Sequence, residues 1–267
     1  MKKLLSLCLA GITAVSSSLI MSSCTVKDEN QLVMATDIDF PPFVYSDKDG
    51  NKAGIDIEVA EAIAEKLSMS LKIESTSLTQ IIDGVENGKY DFGMAGLTVT
   101  EERKLKVIFS HTYASGEQSI LVKDGSEYEK TEDFYVGLDD LGHPISTKAG
   151  IKIGVKKDTT ADKYASADPI NWGFGEKNVT RYDSGEDAAK ALSNGEITAV
   201  IIDSDNANTL RAMHPGLKIL DAAYTDEDYA ICVGKDNYEL LGKINTALEE
   251  LEAEGKLSEI LDRYISN

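Results

Sequence analysis

Short apolar runs that end in polar clusters recur along this chain, and segments with helical periodicity separate them. Runs of this length, alternating with amphipathic helices, are typical of buried strands in an α/β fold with mainly parallel sheets. In open α/β sheets, ligands bind beyond the carboxyl ends of the strands. We therefore expect the clusters to meet in one crevice. The runs are 32–35, 92–95, 151–155 and 199–202, and they lead into Asp37, Gly96, Lys156 and Asp203.

The predicted order of elements occurs twice. Each half contains a helix that stops at an Asn-Gly pair, at 87–88 and at 194–195, followed by a strand and a polar cluster. Ser77 and Gln80 match a capping box for the second helix. The matching order indicates two lobes of similar architecture. Predicted strands are 32–35, 71–73, 90–96, 107–109, 151–155, 179–182, 197–202 and 229–233, and predicted helices include 57–67, 81–87, 188–193, 239–251 and 257–265.

The beginning of the chain indicates export. Two lysines precede an apolar segment over 4–20, and the Met-Ser-Ser-Cys sequence that ends at Cys24 resembles a bacterial lipobox. We predict a signal peptide over 1–23, lipidation of Cys24 and a polar tether over 24–31, which anchor the exported protein to a bacterial membrane. The alternative is an ordinary signal in which Cys24 is incidental. The rest of the sequence has no stretch long and apolar enough to span a bilayer.

Charge and side-chain chemistry exclude several classes of protein. The formal net charge of −19 at pH 7 argues against nucleic-acid binding, which needs a basic surface. His111, His143 and His214 lie at spacings that fit neither a metal site nor a catalytic triad. Cys232, the only cysteine beyond Cys24, has no obvious activating partner. We therefore predict no catalytic residue, no metal and no cofactor.

Arg103 is the strongest candidate for a binding residue. A guanidinium forms two parallel hydrogen bonds to a carboxylate and keeps its charge. Thr98 lies just upstream, and the backbone amides from Gly96 onward precede a predicted short helix, whose free N–H groups favour an anion. Together these groups would hold one carboxylate. The alternative is a surface ion pair of Arg103 with Glu102 or Asp91.

Three further charged residues end apolar runs. Asp203 either caps the next helix or binds an ammonium group, and one residue can do both. Asp37 and Lys156 either pair with each other or contact a ligand side chain. Together they match a carboxamide, which needs one acceptor and one donor. Phe40 supplies aromatic surface beside two prolines, as part of the core or as a ligand platform.

Several segments together resemble the family 3 extracellular solute-binding proteins, which deliver polar amino acids to ABC importers. The segment 54–64 (GIDIEVAEAIA) resembles the family signature, and the similarity continues through 35–43, 87–91 and 96–103 to the C-terminal helices. It extends over nearly the whole chain after the signal segment. The combination of these segments is highly specific for the family, whereas any one segment alone would be only moderately specific.

The resemblance implies a two-lobed type 2 periplasmic-binding-protein fold whose lobes close on a ligand. Each lobe would be a mainly parallel sheet flanked by helices. Lobe 1 would comprise 32–113 plus 230–267, and lobe 2 would comprise 117–226. Two chain crossings, at 113–117 and 226–230, would form the hinge. We expect a monomer that binds its ligand between the lobes.

The resemblance also implies roles for the candidate residues. The positions that match the family's ligand contacts are Arg103, Thr98, Gly96 and Thr160 for the α-carboxylate, Asp203 for the α-ammonium, and Asp37, Phe40, Leu78 and Lys156 for the side chain. Leu78 departs from the family, because relatives often have an aromatic residue there.

Glutamine is the first predicted ligand, because Asp37 and Lys156 together suit an amide. A basic amino acid is the second, because Asp37 alone suits a cation. The expected partners are the free amino acid and the permease of an ABC importer. Two alternatives stay open on the same scaffold: an enzyme similar to cyclohexadienyl dehydratase, and a ligand-sensing receptor without transport.

Overall fold

A computed structural model describes residues 30–265 of the chain. The strands are β1 (Gln31–Thr36), β2 (Tyr45–Ser46), β3 (Lys52–Ala53), β4 (Ser70–Ser75), β5 (Phe92–Gly93), β6 (Val107–Lys123), β7 (Ile153–Lys156), β8 (Val179–Tyr182), β9 (Ala199–Asp203), β10 (Leu217–Ile219) and β11 (Thr225–Gly234). The α-helices are α1 (Ile55–Lys66), α2 (Leu78–Glu86), α3 (Glu101–Lys104), α4 (Thr160–Ser166), α5 (Gly185–Asn194), α6 (Ser204–Met213), α7 (Tyr238–Ala253) and α8 (Lys256–Tyr264). Over these residues no helix combines the length and apolarity needed to cross a bilayer. The predicted signal peptide and Cys24 lie outside the described residues.

Local sequence explains where several helices begin and where α5 ends. At the start of α5, the Ser184 hydroxyl accepts a hydrogen bond from a backbone N–H of the first turn at 2.9 Å. The helix ends at Gly195, whose φ of 76° is a left-handed conformation that glycine adopts without strain. The capping box predicted for α2 is wrong. Ser77 makes no side-chain cap bond, and Gln80 instead accepts a hydrogen bond from the Thr76 hydroxyl.

One mixed sheet organises the fold. Its strand order is β4-β1-β5-β11-β6-β9-β7-β8, and β10 pairs with β6. Parallel pairs form two groups, β4-β1-β5 and β9-β7-β8. β11 and β6 pair antiparallel with each other and with the neighbouring strand of each group. The predicted parallel strands are therefore present, and antiparallel strands join their two groups.

The pair formed by β6 and β11 connects the two groups of strands. β6 has 17 residues, where the sequence predicted a strand only over 107–109. It pairs with β11 over 107–118, and the register shifts on both sides of Ala230. Such shifts bend a strand pair locally. The predicted hinge segments, 113–117 and 226–230, fall within this pair, and their role as a hinge stays a prediction.

Separate hydrophobic cores lie on the two sides of this connection. One core takes its buried residues from 32–114 and 229–260. Two smaller cores take theirs from 120–220. Within the part of the chain that the structure describes, no cluster of buried apolar residues includes members from both sides. Each group of parallel strands is thus stabilised by its own helices, while the exact lobe boundaries stay a prediction.

The strand predicted over 90–96 is shorter than expected. Only Phe92–Gly93 pairs as a strand. Met94 still donates its backbone N–H to Ala35 of β1 at 3.0 Å, but the chain then leaves the sheet, and the backbone N–H of Gly96 donates to the Asp56 carboxylate at 2.8 Å. This departure places the segment that follows β5 beside the ends of other strands.

Candidate ligand-binding site

The polar clusters at the strand ends meet in a cavity with an empty volume of about 580 Å³. Every residue predicted to contact a ligand lines it: Asp37, Phe40, Leu78, Gly96, Thr98, Arg103, Lys156, Thr160 and Asp203. The lining also contains Asp39, Ala95, Gln118, Thr159, Ala161, Ile201, Ile202 and Tyr229. The fold therefore brings the predicted set together in one place.

The Arg103 guanidinium faces this cavity without an acidic partner. Thr100 caps α3, and its hydroxyl accepts the backbone N–H of Arg103 at 3.2 Å. Nη1 of Arg103 donates to the Thr98 carbonyl at 2.8 Å. Among residues 30–265 no carboxylate lies within ion-pair distance of the guanidinium, and Glu102 pairs with Lys163 instead. Burial lowers the pKa of Arg103. The predicted alternative of a surface ion pair is therefore wrong, and the remaining N–H groups are available to an anion.

Asp203 caps a helix and also lines the cavity. Its Oδ1 accepts the backbone N–H groups of Asp205 at 3.0 Å and Asn206 at 3.1 Å, at the start of α6. Its Oδ2 accepts the hydroxyl of Tyr229. The residue is only 1% exposed, and burial raises the pKa of its carboxyl group to about 7. The helix-cap alternative is confirmed, and the position in the cavity leaves the ammonium-binding role open.

A buried acid, Asp56, holds Gly96 in place. Oδ2 of Asp56 accepts the Gly96 N–H at 2.8 Å, and Oδ1 accepts the Tyr113 hydroxyl at 2.6 Å. Asp56 lies in the first turn of α1 and is fully buried. Burial raises its pKa to about 7, against the lowering effect of the two hydrogen bonds. No local sequence pattern predicts this role for Asp56, although the residue lies within the 54–64 segment.

Replacing Gly96 with alanine should destabilise the protein and displace Phe40. Gly96 has a φ of +53°, and an added Cβ would lie 2.3 Å from Cε1 of Phe40. Left-handed backbone is also unfavourable for alanine. We expect a loss of about 2 kcal/mol in the free energy of unfolding, measured by urea denaturation. Gly50→Ala is the matched control, because Gly50 has a φ of +83° and no atom within 4 Å of the added Cβ. An equal loss of unfolding free energy in the two variants would show that the contact between the added Cβ and the Phe40 ring does not destabilise the protein.

The contribution of Asp56 to the free energy of unfolding should decrease as the pH rises. Its pKa is about 7 in the folded protein, against an ordinary value of 3.8. An acid whose pKa is raised by folding contributes stability fully below the unfolded value and loses it as the pH rises through the folded value. The free energy of unfolding of the native chain, relative to Asp56→Asn, should therefore decrease between about pH 4 and about pH 7 and then level off. Asp203 is present in both proteins, so its own titration cancels. A constant difference across this range would contradict the assignment.

Asp37 and Lys156 form an ion pair with each other, which is one of the two alternatives predicted for them. Nζ of Lys156 lies 2.9 Å from Oδ2 of Asp37 and 3.6 Å from Oδ2 of Asp39. It also donates to the Asp39 carbonyl at 3.0 Å. The Lys156 and Asp37 side chains are 10% and 18% exposed. Burial raises the pKa of Asp39, and Lys156 offsets part of that rise. Two carboxylates therefore share one ammonium group in this part of the cavity.

Phe40 belongs to an aromatic cluster and also contributes to the cavity wall. Its ring stacks on Phe43, with centroids 5.2 Å apart and an interplanar angle of 14°. The Tyr229 ring meets it edge-on, with centroids 6.4 Å apart. Phe43 is fully buried, whereas Phe40 lines the cavity. Both predicted alternatives for Phe40, core member and cavity surface, therefore describe the same ring.

Two threonines lie with Arg103 along one part of the lining. Thr159 caps α4 by accepting the backbone N–H of Asp162 at 3.2 Å, which leaves Thr160 as the first helical residue. Thr160 and Thr98 are both 6% exposed and both line the cavity. Hydroxyl groups beside a guanidinium form a donor set suited to one carboxylate.

Polar bonds join the two groups of strands around the cavity. Besides the Lys156 contacts, Nδ2 of Asn206 donates to the Pro41 carbonyl at 2.6 Å, and Lys163 forms an ion pair with Glu102. We call these the interlobe bonds. They hold the walls of the cavity together across the separate hydrophobic cores.

Some lining residues could not be found from strand ends. Gln118 and Tyr229 lie on β6 and β11, the long connecting strands, where sequence offered no polar cluster after an apolar run. Asp39 could have been predicted as a lining residue, because it follows Asp37 by two residues in the same loop. Acidic residues are so frequent in this chain, however, that this proximity alone is weak evidence.

Comparison with known proteins gives a family match over most of the chain. The family described as bacterial extracellular solute-binding proteins, family 3, matches residues 32–267. The chain belongs to this family. The resemblance in the sequence is therefore confirmed, and the solved structures confirm the two-lobed type 2 periplasmic-binding-protein fold.

The relatives of this solute-binding protein are named for amino acids. It is 30% identical to the L-arginine-binding protein of Pseudomonas aeruginosa, with 100% of this chain and 97% of that protein covered. It is 29% identical to the ABC transporter glutamine-binding protein GlnH of Bacillus subtilis, with 90% and 83% covered. A structure of an ancestral arginine-binding protein bound to glutamine is 32% identical, covers 90% of this chain and 100% of that chain, and superimposes with a TM-score of 0.77.

Proposed function

We propose that this solute-binding protein captures a free polar amino acid by lobe closure and delivers it to the permease of an ABC importer. The observation that carries the proposal is that Arg103 lines the cavity with no carboxylate of residues 30–265 within ion-pair distance, while the Asp203 carboxylate lines the same cavity. These two charges match the two ends of a free amino acid. The names of the relatives support an amino acid as the ligand.

In the proposed complex, the α-carboxylate binds Arg103, with Thr98, Thr160 and the Gly96 region beside it, and the α-ammonium binds Asp203. Each charge-assisted hydrogen bond contributes about 1.5–3 kcal/mol. Three or four of them suffice for about −8 kcal/mol, a micromolar affinity, after the cost of association. The contacts come from both sides of the cavity, so full binding favours the closed state.

Glutamine is the first ligand we propose, and a basic amino acid is the second. The Asp37–Lys156 pair supports glutamine, because a side-chain amide accepts from Lys156 and donates to Asp37 while the pair stays electrically balanced. Asp39 supports a basic amino acid, because it adds a second carboxylate beside the same ammonium group. Phe40 and Leu78 would contact the aliphatic part of either side chain.

Calorimetric titration of the mature chain with each common amino acid tests the ligand class. A Cys24→Ser form avoids the lipid, and unfolding followed by refolding removes any amino acid carried through purification. We expect glutamine to saturate one site, with a basic amino acid as the next best ligand. Absence of binding heat from glutamine and from every basic amino acid would overturn the interpretation of the pocket.

We propose that the lobes at 32–113 plus 230–267 and at 117–226 move about the hinge at 113–117 and 226–230. The separate cores and the shifted register at Ala230 support this motion. X-ray scattering should show a smaller radius of gyration with saturating ligand than without it. Identical scattering curves would contradict closure. Ligand-dependent uptake in membrane vesicles, which needs the permease, separates transport from sensing alone.

The membrane anchor is also a proposal. Lipid on Cys24 would hold the exported monomer at a bacterial membrane, with 24–31 as the tether. The polar, acidic sequence over 25–31 supports this arrangement. Metabolic labelling with palmitate should mark the native chain and not the Cys24→Ser form, and light scattering of that form should give the mass of one chain. Equal labelling of both forms would contradict Cys24 as the site.

A further inference from the structure

A buried acid on the connecting strand β11, Glu227, has no role in the site described so far. It lies opposite Gly116 of β6. It points to the same side of β11 as Tyr229, because residues two apart on a strand share a face. Glu227 is only 3% exposed. Both of its carboxylate oxygens are buried and accept no hydrogen bond within the described part of the chain. An unpartnered buried carboxylate is costly, so its surroundings need a chemical explanation.

The groups that surround Glu227 belong to the proposed carboxylate site. Burial raises the pKa of Glu227, while Thr98, Thr160, Arg103 and Gln118 each lower it in part. All four residues line the cavity. The strand register places Glu227 on the same face of the β6–β11 pair as two lining residues, since Tyr229 follows it by two residues and Gln118 lies two residues from its partner Gly116. The Glu227 carboxyl group therefore lies beside the proposed carboxylate site.

Other titratable groups near Glu227 do not supply a compensating charge. The Tyr164 hydroxyl of α4 and the Tyr229 hydroxyl of β11 both interact with it electrostatically, and burial raises the pKa of both. Tyr229 in turn donates to Asp203. Glu117 of β6 and Asp226 of β11 pair beside it and are exposed. Among the described groups with the largest effect on Glu227, Arg103 is the one cation.

Two carboxylates that share one guanidinium repel each other unless one is protonated. We propose that Glu227 is a proton-binding member of the carboxylate site, ionised in the open protein and taking up one proton when an amino-acid carboxylate binds Arg103. The proton comes from the solvent and forms an O–H bond on the Glu227 carboxyl group, and no other bond changes. The inference rests on the proposed function, because it takes the carboxylate of the ligand to lie at Arg103.

A proton taken up on binding makes affinity depend on pH. Above the pKa of Glu227 in the open protein, the affinity should fall up to tenfold for each unit of pH. Asp203 has the opposite effect on the pH dependence of affinity. Because its pKa is about 7, it is protonated at acidic pH and must lose that proton to bind an ammonium group. The two effects are separable by removing the titration of Glu227 alone.

Glu227→Gln is the direct test, because glutamine copies the shape of the protonated acid. Binding of glutamine and of arginine is measured by calorimetry from about pH 6 to about pH 9, in buffers of different ionisation enthalpy, which counts the protons taken up. Glu117→Gln is the matched control: it makes the same charge change at an exposed position on the paired strand. Thermal unfolding confirms that each variant is folded.

We expect the native chain and Glu117→Gln to take up more protons than Glu227→Gln, with a difference that approaches one at alkaline pH. The affinity of Glu227→Gln should exceed that of the native chain by a factor that grows with pH. Equal proton counts, or weaker binding by Glu227→Gln at every pH, would overturn the inference. If Glu227→Gln does not fold, the absence of proton uptake by the native chain near pH 9 overturns it. Failure of both amino acids to bind the native chain would instead contradict the proposed function.

Discussion

Replacing Arg103 with alanine should weaken glutamine binding by at least about 2 kcal/mol, roughly thirtyfold, because the variant loses a charge-assisted bond to the ligand carboxylate. The guanidinium is preorganised for this bond. Its Nη1 donates to the Thr98 carbonyl at 2.8 Å, and no acid among residues 30–265 lies within ion-pair distance of it. Calorimetric titration measures the loss, with a basic amino acid in place of glutamine if that is the ligand.

Lys104→Ala is the matched control for this experiment. Lys104 follows Arg103 directly in α3, carries the same charge, and forms an exposed ion pair with Glu101 at 2.8 Å. Exposed pairs of this kind contribute about 0–1 kcal/mol. Lys104→Ala should therefore bind the ligand almost as the native chain does. Unchanged affinity in Arg103→Ala, or equal losses in both variants, would rule out Arg103 as the carboxylate contact.

Replacing Lys156 with methionine should shift the preference from glutamine toward arginine by about a hundredfold in the ratio of the two affinities. Glutamine loses one charged hydrogen-bond donor, which is worth about 1.5–3 kcal/mol. Arginine gains, because Asp37 and Asp39 lose the ammonium group that they share and can accept a guanidinium. Competition titrations of the two amino acids on one protein sample give the ratio directly, so any loss of folded protein cancels.

The neighbouring Lys157 provides the control for this change. Lys157 is exposed, pairs with Asp183, and does not line the cavity. Lys157→Met should leave the ratio of affinities unchanged. Equal losses for both amino acids in Lys156→Met would mean that Lys156 supports the fold of the pocket without selecting the side chain. A native chain that already prefers arginine would favour the basic amino acid as ligand.

The positions of polar residues after apolar runs predicted, for a physical reason, that these residues would line one cavity. The apolar runs that precede Asp37, Lys156 and Asp203 are buried, so the polar residues that follow each run lie near the edge of its sheet. Apolar patterning therefore fixes a position along each strand. The orientation of Arg103 was also foreseeable in part, because Thr100 is a good helix cap.

The remaining features depend on contacts between distant segments. Asp56 and Tyr113 are 57 residues apart, and neither shows a local pattern that predicts their hydrogen bond. Glu227 looked like one more acid in an acidic chain, and only the pairing of β11 with β6 makes it a buried one. The capping box at Ser77 failed because the competing bond between Thr76 and Gln80 was equally compatible with the sequence.

The separation of the hydrophobic cores has a consequence for the thermodynamics of the motion that we propose. Because no apolar cluster includes residues from both sides within the described chain, parting the lobes would expose no hydrophobic core and would hydrate only the cavity lining and the polar bonds across it. Large heat-capacity changes come from hydration of apolar surface. The heat-capacity change of closure should accordingly be small, and a chain with its lobes apart would present no exposed hydrophobic core to neighbouring molecules.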